Sequence, residues 1–179
     1  MNRATVAMLT ETWLNKGNKK ISYDLGLLAQ EHDIHVLRKD RTSRGGGVAL
    51  AYDSRMSDFK KLPLKSLAGT SLEILAAKGK INGVKKPHLV FVCYLPPSYN
   101  AAQNAHFFDK LTDAISEARS KHPESWVTIG GDWNNRDLGP ILSLFPDLAP
   151  VRSGPTRKTA TLDIQMTNYV DHILSLIHI

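Results

Sequence analysis

The chain has 179 residues, of which 42% are hydrophobic and 22% charged, and its formal net charge is +6. That length and composition fit one compact domain with a sizeable core and exclude a disordered or low-complexity protein. The charge is unevenly spread: residues 1–86 hold 16 Lys and Arg against 8 acids, whereas residues 87–179 hold 7 against 9.

In chain order, "TVAML" is the first expected strand, and its apolar run is too short for the core of a signal peptide. Lys16, Lys19, Lys20, Arg38, Lys39, Arg41 and Arg44 follow as a basic stretch. Such a stretch either meets phosphate backbones by counterion release or is simply a solvated face. "SYDLGLLAQEHD" is a short helix candidate, and "HVLRKD" and "GGGVALAY" are strands, the glycines shaping the entry to the second. "SLEILAA" and "HLVFVCYL" come next, joined as a hairpin in which Asn82-Gly83 signals a two-residue turn. Cys93 is the sole cysteine, which rules out an intrachain disulfide; it reads as a small core residue and suggests a reducing, intracellular setting.

"AHFFDKLTDAISEARSKHP" predicts a helix, because Phe107 or Phe108, Leu111, Ile115 and Ala118 recur at helical spacing and Pro123 follows. "WVTIGG" is a strand, "DLGPILSLF" a short helix with Pro140 in its first turn, and "ATLDIQM" a seventh strand. Strands predominate, with few helices and no internal repeat, which predicts an α+β sandwich of packed sheets with helices outside. No stretch approaches membrane-spanning length.

Three acids stand in or at the end of expected strands: Glu11 after "VAML", Asp132 after "WVTIGG" and Asp163 within "TLDIQM". A carboxylate leaving water must be paired, hydrogen-bonded or bound to a cation. Sparse hard oxygen donors suit Mg²⁺, and no close His or Cys spacing offers a softer site. Each acid also has an ordinary reading. Thr161, Asp163, Gln165 and Thr167 alternate with Leu162, Ile164 and Met166 as on a wet sheet face, Glu11 reads as an exposed strand end, and Asp132 with Asn134 reads as an Asx turn.

The ordered set "LTETWL", "RGGGVALAY", "YLPPS", "GGDWN", "PTR" and "LDIQMTN" resembles the endonuclease/exonuclease/phosphatase superfamily, most closely the endonuclease domains of non-LTR retrotransposons. The resemblance runs from Thr5 to Asn168. It implies a four-layer α/β sandwich, DNase I-like, with two packed, mainly antiparallel sheets flanked by helices. It also implies the roles: Glu11 holding Mg²⁺, with Mn²⁺ as a substitute, Asp132 activating the attacking water, and Asn134 donating to the scissile phosphate. Tyr94 lies near that phosphate, Asp163 orients a histidine, and Arg157 contacts substrate. The partner implied is DNA, nicked to leave a 3′-hydroxyl, with a reverse transcriptase domain in the parent polypeptide.

Against the family pattern, the domain over 1–179 is expected to be incomplete, truncated at both ends. No Asn-bearing strand precedes Glu11 by a few tens of residues, and Asp171-His172 follows Asp163 too soon to be the family's closing Ser-Asp-His. Residues 172–179, "HILSLIHI", resemble peptide translated from sequencing-adapter DNA. Open sheet edges and impaired cleavage are the expectation. The competing functions are another phosphoesterase of the superfamily, acting on a lipid or inositol phosphate, and a non-catalytic remnant with weak nucleic-acid binding.

Overall fold

"HLVFVCY" is apolar on both faces, and a strand with that pattern belongs inside a sheet covered on both sides. In the computed structural model, which describes residues 6–14, 31–41, 45–151, 163–169 and 175–178, this segment is buried at every position. Ten strands are described: β1 (Val6–Thr10), β2 (Ile34–Lys39), β3 (Val48–Asp53), β4 (Ser57–Lys61), β5 (Ile74–Ile81), β6 (His88–Tyr94), β7 (Trp126–Asp132), β8 (Ala149–Val151), β9 (Asp163–Thr167) and β10 (Ser175–His178). They form a four-stranded sheet, β10-β1-β3-β2, and a six-stranded sheet, β4-β5-β6-β7-β9-β8. The pairs β6–β7 and β1–β10 are parallel and the others antiparallel.

Alternation along the strands builds two cores. Val6 and Met8 of β1, Val48, Leu50 and Tyr52 of β3, and Val90, Val92 and Tyr94 of β6 meet between the sheets. Leu89, Phe91 and Cys93 of β6, with Val127 and Ile129 of β7, face the other way onto the helices. The buried Cys93 thiol is pushed far up from its usual pKa by desolvation, as befits a small core residue.

The long helix, α1 (Ala101–Lys121), makes the crossover between parallel β6 and β7. Phe107, Leu111, Ala114, Ile115 and Ala118 form its buried stripe. It begins four residues before the expected "AHFF" because Asn100 and Gln103 form a capping box. The Asn100 side chain accepts from the Gln103 amide, and the Gln103 side chain accepts from the Asn100 amide, both at 2.9 Å. Asn100→Ala should lower unfolding stability by about 1 kcal/mol, read as a shift in denaturant midpoint. The short α2 (Gly139–Leu144) has Pro in its first turn, as expected.

Three strands escape the sequence reading. β4 and β8 are edge strands: in β4, charged Asp58, Lys60 and Lys61 point outward around Phe59, which suits an edge and hides its alternation. β8 is three residues long and contains Pro150. β10 falls within the residues read as foreign, and flanks β1. The expected two-residue turn is also longer. β5 ends at Ile81 and β6 begins at His88, because Asn82 bonds Met56 and Arg55 carbonyls at 2.8 and 2.9 Å and Pro87 has no N–H for a ladder. The helix expected over 22–33 lies almost wholly outside the described residues, as do Arg157 and His172.

Candidate active site

Parallel pairing of β6 with β7 brings their C-terminal ends together, and antiparallel β9 begins where β7 ends. The register therefore lines up Tyr94, Asp132 and Asp163 in one row across three adjacent strands. Residues opposed across a ladder project to the same face. That face is the inter-sheet side, since Val90, Val92 and Tyr94 belong to the inter-sheet core. Asp132 is 3% exposed and Asp163 5% exposed, so both carboxyls are largely withdrawn from water.

From the facing sheet, the turn after β1 adds Glu11, whose carboxylate accepts a hydrogen bond from the Tyr94 hydroxyl. Its other oxygen accepts from the Trp13 indole N–H at 3.0 Å. Burial first, then that hydrogen bond and the negative charges of Glu11, Asp132 and Glu73, push the Tyr94 hydroxyl far above its usual pKa. The Tyr94 hydroxyl thus gives its proton to the Glu11 carboxylate. Glu11 and Trp13 both hold left-handed backbone, φ 53° and 52°, a costly state for side chains of this size.

"GGDWNN" turns sharply after Asp132. Gly131 lets β7 pass close to β6: a side-chain carbon there would lie 1.8 Å from the Cys93 carbonyl oxygen. Asp132 accepts from the Asn134 amide at 2.9 Å, an Asx turn, so the ordinary reading of this pair is correct for the local geometry. Trp133 points away into the helix-side core, fully buried, donating to the Ile164 carbonyl at 2.9 Å and stacking with Phe108. Asn134 lies beyond the strand with φ 46°, so strand alternation does not place it beside Asp132. The turn does, and the Asn134 side-chain amide donates to the Leu95 carbonyl at 2.9 Å, next to Tyr94.

No family model matches the sequence, and no curated protein matches it. Solved structures match by shape. D. rerio TDP2 complexed with single-strand DNA product has a TM-score of 0.60 at 13% identity, covering 91% of this chain and 70% of that one. The 3′ phosphatase NExo from Neisseria, bound to a product DNA hairpin, has a TM-score of 0.60 at 13% identity, covering 91% and 76%. The fold is DNase I-like. The human Nocturnin catalytic domain with a bound sulfate anion shares this DNase I-like fold, with a TM-score of 0.61 at 12% identity over 92% and 69%.

Within this DNase I-like frame, Glu73 is the acid that sequence reasoning missed. It stands just before β5, 4% exposed, and its carbonyl accepts from the Tyr94 amide at 2.9 Å. Its carboxylate accepts from the Gly47 amide and pairs with Arg41 at 3.3 Å. Burial raises its pKa; the Gly47 amide, Arg41 and Lys39 work against that rise, and the charge of Glu11 adds to it. The glycines are needed here, because any side chain on Gly46 would strike the Glu73 carboxylate, 2.4 Å from its nearer oxygen. The Gly46 and Gly47 carbonyls in turn accept from Trp13 and Thr12 amides at 2.9 and 3.3 Å, fastening the Glu11 turn. The available signal was an acid directly before "ILAA" in a chain carrying "RGGG".

One expectation needs correction. Asp163, Gln165 and Thr167 do alternate, but they face the inter-sheet interior at 5%, 4% and 1% exposure, not a wet surface. Of the basic stretch, Lys16, Lys19, Lys20 and Arg44 lie outside the described residues, and the three described members have partners within the chain. Arg38 pairs with Asp40 at 3.0 Å, Arg41 pairs with Glu73, and half-buried Lys39 donates to the Thr70 carbonyl at 3.4 Å. Among the described residues, no three His, Cys, Asp or Glu side chains converge as a metal cluster.

Proposed function

We propose that this chain is a divalent-metal-dependent phosphodiester hydrolase of the endonuclease/exonuclease/phosphatase superfamily acting on DNA, and, at finer grain, the nicking endonuclease of a non-LTR retrotransposon. The observation that carries this reading is the row Tyr94, Asp132 and Asp163, with Glu11 bonded to Tyr94 from the opposite sheet. The DNA products bound to TDP2 and NExo support nucleic acid as the substrate class.

Glu11 is the residue that would hold Mg²⁺ or Mn²⁺. Each of its oxygens accepts one side-chain donor and keeps a further lone pair, and Mg²⁺ needs only one or two carboxylates besides water and phosphate oxygens. Bound there, the ion supplies positive charge against a nonbridging phosphate oxygen. Asp132 orients the attacking water and takes its proton as the new P–O bond forms. The bond from phosphorus to the 3′ oxygen breaks, and that oxygen takes a proton from solvent water to leave as a hydroxyl, the end that primes reverse transcription. Asn134 has a second amide hydrogen besides the one given to Leu95, and it donates this to the phosphate. Tyr94, its one hydroxyl hydrogen given to Glu11, orients that carboxylate at the same corner.

The test is conversion of supercoiled plasmid to the nicked form with Mg²⁺, alongside 3′-phosphorylated oligonucleotides, inositol phosphates and lipid phosphates. Weak nicking that chelator abolishes is the expected result. Turnover of the small phosphoesters alone would replace the DNA reading with the other superfamily activity, and no turnover of any phosphoester would leave the remnant. Flanking sequence encoding a reverse transcriptase tests the retrotransposon assignment separately.

A further inference from the structure

Trp13 combines three properties that packing does not explain. It is 54% exposed, although an indole is among the side chains that gain most from burial. Its backbone holds φ 52°, a state that costs a bulky residue on the order of 1–3 kcal/mol and persists only where its surroundings enforce it. Its indole N–H is given to the Glu11 carboxylate, and its backbone amide to the Gly46 carbonyl, so ring and backbone are each held by one bond. The ring's outer carbons lie 3.8 Å from where a Gly45 side chain would begin, so glycine there leaves that edge uncovered. The result is a rigid aromatic surface, partly open to solvent, held one hydrogen bond from the acid that would carry the metal.

We infer that Trp13 is a stacking platform for an unpaired nucleobase beside the scissile phosphate, so that the site takes DNA whose base next to the cleavage point is single-stranded or swung out of the duplex. This rests on the function proposed above. Every base has a π-face, so such a platform adds affinity without reading sequence. A base paired within a duplex keeps both faces covered by its neighbours, so the platform discriminates by base exposure. The fixed indole loses little freedom on binding, which is the advantage of having paid for its pose in the backbone.

The experiment is fluorescence anisotropy with a labelled short single-stranded oligonucleotide and an abasic strand of equal length, in chelator so that nothing is cleaved. The wild-type chain should bind the base-bearing strand more tightly. Trp13→Ala should weaken that binding about tenfold or more, the change expected for one lost base–aromatic stack, and leave the abasic affinity unchanged. Trp13→Phe keeps a π-face but loses the bond to Glu11, and should retain most of the affinity. Equal weakening on both strands, a Phe variant that behaves like Ala, or a wild type indifferent to the bases would each overturn the proposal. Base-dependent binding without hydrolysis of any phosphoester would overturn the assigned activity and leave the platform standing.

Discussion

Asp132→Asn should lower phosphodiester hydrolysis by about 10²- to 10⁴-fold, the range for losing a positioned proton acceptor, with the unfolding midpoint nearly unchanged. The substitution is chosen for what it keeps. Asp132 Oδ1 accepts from the Asn134 amide at 2.9 Å, and an asparagine oxygen can accept the same bond, so the turn that carries Asn134 survives. What goes is the carboxylate's charge and its capacity for a proton, at a position only 3% exposed. Initial rates and a denaturant curve on the same preparation separate the two effects. A variant with wild-type turnover would remove Asp132 from the chemistry and reduce it to the Asx turn it also forms.

Gly131→Ala should be the most damaging single substitution for folding, costing about 3 kcal/mol or more. The added carbon would lie 1.8 Å from the Cys93 carbonyl oxygen and 2.7 Å from its carbon, both backbone atoms of the paired strand, so no rotamer relieves the clash. The strands cannot simply part. Cys93 and Gly131 are register partners, flanked by Val92 with Gly130 and by Tyr94 with Asp132, so spreading them breaks the ladder at the site itself. Soluble yield and thermal midpoint measure the effect, and a midpoint within a degree or two of the parent would show that β6 and β7 tolerate a wider spacing. Activity should fall with stability here, whereas in Asp132→Asn it should fall alone.

The strands most legible in the sequence were those whose side chains do the burying. β1, β6 and β7 are near-continuous apolar runs, and β9 alternates, so their existence follows from residue type alone. β4 and β8 were invisible because an edge strand owes its conformation to hydrogen bonds with its neighbour. Asp163 is instructive in a different way. Its alternation with Ile164 was readable, but which face meets water depends on the second sheet, and no local pattern encodes that. Glu11, Tyr94 and Asp132 were found through their order along the chain, and the structure brings them together. Glu73 was not found, because one acid before an apolar run carries no spacing to distinguish it. Asn134 was placed beside Asp132 for the wrong reason, since a left-handed turn, not strand alternation, sets it there.

The register row has a kinetic consequence. Glu11, Glu73, Tyr94, Asp132 and Asp163 are scattered over most of the chain, and β9 must enter between β7 and β8 to bring the last of them into line. Closing contacts over such separations is the slow part of folding for sheet-rich proteins. α1, by contrast, is a local element with its own capping box and can form early. During refolding, helical signal should therefore return well before catalytic competence, and recovery of turnover becomes a clock for the insertion of a single strand.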